Sequence, residues 1–242
     1  MAFKSSRRLL SCMRRAVEQY GMIEEGDKIA VGLSGGTDST ALLCTLKEFQ
    51  IFYPKKFELV AVTVDTGFEG MDFSPLKELC AEIGVPYTVV KSDIAKVVFD
   101  VRKESNPCSL CARMRRGLLH DTAKALGANK IALGHHYDDV VTTFIMNLFN
   151  EGRIGCFSPV TYLSNKKLWM IRPFIFADEG DIRYFIKQND LPVVTSTCPE
   201  DKHTDREKYK QMIEEMDRQN KGLKHRVYKA IEKAGVDGFK VK

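Results

Sequence analysis

Apolar residues recur along this chain with two different periods, and the periods alternate. Leu9, Leu10, Met13, Val17 and Tyr20 form a helical stripe within residues 1–20. Gly21 and the Glu24–Asp27 turn then lead into a short apolar run over 28–33, which predicts a strand. A helix is expected from Asp38 to Phe49, then a strand from Phe57 to Val64. The unbroken Leu59-Val60-Ala61-Val62 run of that strand suits burial on both faces. The same alternation continues with a helix from Pro75 to Gly84, a strand from Tyr87 to Val90 and a helix from Leu110 to Leu126 closed by Gly127. A strand from Lys130 to Leu133 and a helix from Tyr137 to Phe149 complete it. Strands separated by helices of this length predict an α/β fold, a mostly parallel sheet in a Rossmann-like three-layer architecture.

Beyond Gly152 the pattern changes. Residues 159–163 and 168–171 read as a hairpin around Ser164–Lys167, and Asp178 is placed to cap a helix running to Gln188. Two further helices are expected at 204–216 and 225–234. The division this suggests is an N-terminal helix and turn (1–27), a main domain (28–200) and a basic, helical C-terminal extension (201–242), joined in one compact unit.

In parallel sheets, ligands collect beyond the carboxyl ends of the strands. Three polar loops fall there: Ser34-Gly35-Gly36-Thr37-Asp38-Ser39, Asp65-Thr66-Gly67, and Gly134-His135-His136-Tyr137-Asp138-Asp139. The first joins a buried strand to a helix. Paired glycines admit a close backbone approach, the hydroxyls of Ser34 and Ser39 add donors, and the helix N-terminus favours an anion. It therefore reads as a phosphate-binding turn, with Asp38 a candidate ligand for a divalent cation. It is neither the GxxxxGK[ST] loop nor the dinucleotide GxGxxG fingerprint.

Net charge is +5, and its distribution is uneven. Basic residues cluster at the start (Lys4, Arg7, Arg8, Arg14, Arg15), at Arg113, Arg115 and Arg116, and in 221–242. Such patches suit a polyanion such as RNA, and equally a solvated helix surface. No apolar stretch is long enough to cross a membrane, so a cytoplasmic protein is the expectation. Seven cysteines argue against a disulfide framework. Cys12, Cys44, Cys80 and Cys156 have apolar or helical settings, whereas Cys108, Cys111 and Cys198 have polar, turn-like neighbours. A CxxC pair is open to three readings: a redox pair, part of a zinc site with Cys198 and His203, or part of an iron–sulfur site. In each case the adjacent arginines are expected to lower the thiol pKa.

Ser34–Ser39 satisfies SGGxDS, and in this the chain resembles the PP-loop ATPases, or N-type ATP pyrophosphatases. Thr37 stands where many sulfur-transferring members have lysine. Asn106–Gly117, with its CSLC and three arginines, together with Ile131–Asp139, Leu168–Pro173, Pro192–Pro199 and Met22–Asp27, resembles the tRNA 2-thiocytidine synthetase family in order and over most of 8–200. That resemblance implies a PP-loop fold and a [4Fe-4S] cluster on Cys108, Cys111 and Cys198. It implies Mg2+-ATP at Ser34–Ser39, with Asp38 on Mg2+ and Asp65, Gly134, His135 and His136 shaping the nucleotide pocket. Arg115 and Asp138 fall at its catalytic positions.

The expected reaction is ATP- and cluster-dependent sulfur transfer to a pyrimidine of tRNA through an adenylated intermediate. Sulfur would come from a cysteine desulfurase or from sulfide, and a homodimer is an open expectation. Alternatives are a cluster-independent adenylating or amidating enzyme, a small-molecule thiolation or desulfuration enzyme, and a non-catalytic RNA-binding protein.

Overall fold

A computed structural model describes residues 3–102, 107–200 and 205–240. His203, considered above as a zinc ligand, lies outside them, as does Asn106. Six strands form one sheet: β1 Asp27–Gly32, β2 Phe57–Asp65, β3 Tyr87–Lys91, β4 Lys130–Ala132, β5 Val160–Leu163 and β6 Leu168–Ile171. The order is β3-β2-β1-β4-β6-β5, with every pairing parallel except β5 against β6. The expected hairpin is therefore present, and its second strand also extends the parallel sheet.

Eight α-helices accompany it among the described residues: α1 Arg7–Tyr20, α2 Thr37–Phe52, α3 Ser74–Glu82, α4 Pro107–Ala125, α5 Tyr137–Glu151, α6 Glu179–Gln188, α7 Asp205–Gln219 and α8 Leu223–Ala234. The pattern gave no sign of a π-helical turn at Lys96–Arg102 or of a short 3-10 turn at Val236–Gly238. Asp178 caps α6, its Oδ1 accepting the Gly180 N–H at 2.8 Å. No helix among these residues is long and apolar enough to cross a membrane.

Alternate residues of the central strands enter different cores, as the pleat requires. Ile29, Val31, Leu59 and Ala61 pack into a large cluster with side chains of α1, α2, α3, α5 and α6. Ala30, Val60 and Val62 pack with Leu119 and Ala123 of α4 on the other face. The two layers are thus unequal, and α4 is the principal cover of its face. Tyr228 and Ile231 of α8, together with Phe239, belong to the large cluster, so the C-terminal helices share its core. Cys44 and Cys80 are buried as expected, but Cys12 and Cys156 are only half-buried.

Candidate active site

A cavity of about 530 Å³ opens between α4 and the carboxyl ends of the strands. Its boundary runs from Val62 and Val64 on β2, past the turn after β1, to Met170 and Arg172 at the end of β6. Of the residues singled out in the sequence, Ser34, Gly36, Asp38, Ser39, Arg115, Gly134 and His135 line it. Gly35, Thr37, Asp65, His136, Asp138 and the three cysteines do not. Arg116, Asp139, Phe157 and Arg172 also line it and were not chosen as site residues.

The turn after β1 is held by its own hydroxyls. Ser34 N–H donates to Ser39 Oγ at 3.2 Å, and Ser39 Oγ–H donates to the Gly36 carbonyl at 3.1 Å. Gly35 has φ +91°, and a Cβ there would lie 2.8 Å from Val194 Cβ. Gly134 is required for a different reason: a Cβ would sit 2.9 Å from the Asp38 backbone carbon at the start of α2. The two glycines let the loops after β1 and β4 and the segment before Cys198 meet over one volume. Asp65 instead closes its own turn, accepting the Gly67 N–H at 2.9 Å.

Four charged groups crowd the N-termini of α2 and α5. His136 Nε2 lies 3.9 Å from Asp38 Oδ2 and 3.6 Å from Asp139 Oδ2, while Nδ1 is 3.6 Å from Asp138 Oδ2. Burial opposes the imidazolium, yet the three carboxylates outweigh it and raise the His136 pKa. Asp38 is pushed up, chiefly by burial, with His136 opposing and Asp139 reinforcing the shift. A cation beside Asp38 would relieve that cost, which fits it as a Mg2+ ligand. His135 behaves oppositely to its neighbour. Burial, aided by Arg172, drives its pKa down to about 4, so its ring is neutral at physiological pH.

The two aspartates of this block face different ways. Asp138 is buried and accepts the Glu179 N–H at 3.0 Å and Lys224 Nζ at 2.6 Å. These partners offset its burial and hold it well below the usual carboxylate range. Asp139 lines the cavity, accepts the His136 N–H at 3.0 Å and pairs with Arg206 of α7 at 2.7 Å. Lys210 of α7 likewise reaches Glu179 at 2.7 Å. Arg206, Lys210 and Lys224, all C-terminal cations, are therefore committed to carboxylates of the main domain.

Cys108 and Cys111 sit in the first turns of α4, three residues apart and so on one face. Cys198 is near enough for its charge to oppose ionisation of both. The Val194 N–H bond to the Gly35 carbonyl, at 2.9 Å, ties its segment to the turn after β1. Burial, followed for Cys108 by the neighbouring thiols, raises the pKa of Cys108 and Cys111. The expected lowering by arginine is overturned: Arg115 acts in that direction and is outweighed. Among the described residues no three His, Cys, Asp or Glu side chains are gathered tightly enough for a single metal ion. Three thiols, with Cys198 within electrostatic reach of Cys108 and Cys111, are the donor chemistry that an iron–sulfur cluster takes.

A family model for the PP-loop domain matches residues 5–216. The tRNA-cytidine(32) 2-sulfurtransferase of Cupriavidus taiwanensis is 36% identical over 231 residues, covering 95% of this chain and 75% of the relative. That of Geobacter sulfurreducens is 35% identical over 228 residues, covering 93% and 89%. Among solved structures, the U34-tRNA thiolase NcsA of Methanococcus maripaludis, determined with its [4Fe-4S] cluster, superposes with a TM-score of 0.78 at 24% identity, over 95% of this chain and 79% of that one. An NH3-dependent NAD synthetase from Campylobacter jejuni shares the fold at a TM-score of 0.50 and 15% identity, over 100% and 99% of the two chains. Both likenesses agree with the α/β architecture read from the strand alternation. The chain belongs to the PP-loop family and, within it, to the tRNA-cytidine(32) 2-sulfurtransferases.

Proposed function

We propose that this protein is an ATP-dependent sulfurtransferase that replaces the C2 oxygen of a tRNA cytidine with sulfur, forming AMP and pyrophosphate. The observation that supports the reading is the electrostatic reach of Cys198 to Cys108 and Cys111, with the segment before Cys198 tied to the phosphate-type turn by the Val194–Gly35 bond. Position 32, in the names of the relatives, is the preferred cytidine.

In this reading the backbone N–H groups of Ser34–Ser39 and the N-terminus of α2 hold the pyrophosphate end of ATP. Asp38 holds Mg2+, with Asp139 on the same side of His136. The C2 oxygen of the base attacks the α-phosphorus, a C–O–P ester forms, and pyrophosphate leaves. A sulfide-level sulfur then attacks C2, and the C–O bond breaks as AMP departs with the oxygen. Arg115 lies on the cavity wall, where its charge offsets the negative charge that develops on the phosphoryl group. Asp138 supports the loop through Lys224 and the N-terminus of α6, and His135 and His136 shape the wall and the carboxylate cluster. The three thiolates would hold the [4Fe-4S] cluster, which supplies a free iron position able to carry the incoming sulfur. The sulfur donor is sulfide, or the persulfide of a cysteine desulfurase from which a second thiol releases the outer sulfur as sulfide while forming a disulfide, and the reaction belongs in the cytoplasm.

Anaerobic purification with iron and sulfide analysis tests the cofactor. Incubation with tRNA, ATP and sulfide, followed by nucleoside mass spectrometry and AMP assay, tests the reaction. The expected outcome is 2-thiocytidine with stoichiometric AMP; ADP formation with no thiolated base would overturn the proposal.

A further inference from the structure

Of the three basic clusters in the sequence, two are largely committed to partners within the fold. At the N-terminus Arg8 pairs with Asp181 at 3.0 Å, Arg14 pairs with Glu18 at 2.7 Å, and the Arg15 guanidinium lies 3.6 Å from the Phe176 ring. In the C-terminal extension Lys224 pairs with Asp138 and Lys229 with Glu232, each at 2.6 Å, while Arg226 donates to Asn220 Oδ1 at 2.7 Å. The third cluster, on α4, differs. Arg113, Arg115 and Arg116 are exposed, and among the described residues none of them meets a carboxylate. Arg116 Nε donates to the Ala112 carbonyl, at 3.3 Å. Asp121, the one acidic residue of α4, is already paired with Lys166.

Helical spacing sorts these residues. Arg115 falls on the side of Cys108 and Cys111, whereas Arg113, Arg116, Gly117, His120 and Lys124 share one stripe roughly 16 Å long. Gly117 sits in the middle of α4, where glycine weakens a helix. Neither of the usual reasons for keeping it applies. Its φ lies outside the left-handed region, and an added Cβ would meet nothing within 4 Å among the described residues. The reason left is close approach of something from outside. The stripe carries no large apolar side chain, so it lacks the core of a protein–protein interface, and its charge suits a chain of phosphates. Arg116 also lines the cavity, so the stripe runs to the mouth of the site.

We infer that the Arg113–Lys124 stripe of α4 is the surface that carries the sugar-phosphate backbone of the tRNA substrate, with Gly117 the point of closest approach and Arg113 and Arg116 on neighbouring phosphates. This rests on the sulfur-transfer reading above. It lays the RNA along the helix that begins with Cys108 and Cys111, so that a base swung off the backbone enters the cavity past Arg116.

The test is binding of an unmodified tRNA transcript to the anaerobically purified full chain, followed by fluorescence anisotropy at several KCl concentrations. Arg113→Gln should weaken binding by about three- to tenfold and reduce the slope of log K against log salt by about one, the share of one phosphate contact. ATP affinity should stay within about twofold. Gly117→Leu puts a good helix former in the same place. Its melting temperature should equal or exceed that of the wild type, yet its tRNA affinity should fall by more than about tenfold. Arg14→Gln and Lys229→Gln, in the other two clusters, should leave the slope unchanged. An unaltered slope in Arg113→Gln would overturn the assignment, as would a folded Gly117→Leu protein that binds tRNA like the wild type. If the leucine variant does not fold, the Arg113→Gln slope decides. Variants with wild-type tRNA binding and reduced thiolation would assign the stripe to an acidic protein partner and refute the inference. A chain that binds tRNA through this stripe and forms no 2-thiocytidine would refute the sulfur-transfer reading alone.

Discussion

Val194 donates its backbone N–H to the Gly35 carbonyl at 2.9 Å, and its Cβ occupies the space where a side chain on Gly35 would begin, 2.8 Å away. A loop more than a hundred and fifty residues downstream is thereby locked to the phosphate turn by one hydrogen bond and one steric contact. Gly35→Ala combines the strain of φ +91° with that overlap. The expected cost is about 3 kcal/mol, from left-handed backbone strain plus overpacking. Chemical denaturation should show it, and binding of nucleotide and of iron should fall together because both loops move.

Gly134→Ala makes a separable case. Its backbone has an ordinary conformation, so the damage comes from the approach to Asp38 and Ser39 alone. A loss of about 2 kcal/mol is expected. ATP affinity should drop by more than tenfold through displacement of α2, with iron content retained. Equilibrium binding beside an iron assay distinguishes the two glycines.

Lys224→Met removes the 2.6 Å partner of a buried carboxylate and leaves Asp138 with one backbone donor and His136. The expected destabilisation is about 2 kcal/mol, typical of a lost charge-assisted hydrogen bond. Thermal melting measures it. If Lys224 served only RNA binding, the melting temperature would be unchanged.

The same carboxylate sets a pH dependence. The folded-state pKa of Asp138 is depressed below the unfolded value. Its contribution is therefore fully present above the unfolded pKa, about 3.9, and is lost as pH falls below that value towards the folded one. Asp138→Asn should be less stable than the wild type at pH 7, and the gap should narrow progressively below about pH 4. Denaturation midpoints at several pH values test the sign: a gap that widens on acidification contradicts it.

Serine at Cys108, Cys111 or Cys198 changes a half-buried side chain by one atom. Stability should shift by less than about 1 kcal/mol. Iron content and thiolation should each fall to background while AMP and pyrophosphate binding persist. Retained thiolation in any one variant would remove that cysteine from the ligand set.

The alternation of periods was sufficient for the strands, because β1, β2 and β4 are centred on apolar residues buried on both faces. The hairpin was legible from its local turn, but its parallel addition to β4 was not, since that pairing depends on tertiary contact. SGGTDS and CSLC stood out through glycine and cysteine chemistry. Arg172 did not, although a charged residue directly after the apolar run Leu168–Ile171 was an available signal. The bond from Lys224 to Asp138 spans 86 positions and leaves no local trace. The thiol shifts were misread for a related reason: arginines are visible in a sequence, whereas burial is a property of the fold.

The lock between Val194 and Gly35 makes the next few residues a ruler. Cys198 follows the anchored position by four residues, so adding or deleting one there would carry the sulfur away from its companions without disturbing the sheet. The Ser164–Lys167 turn sets no such measure. Length variation in this family should accumulate at turns of that kind and be scarce between anchor and thiol.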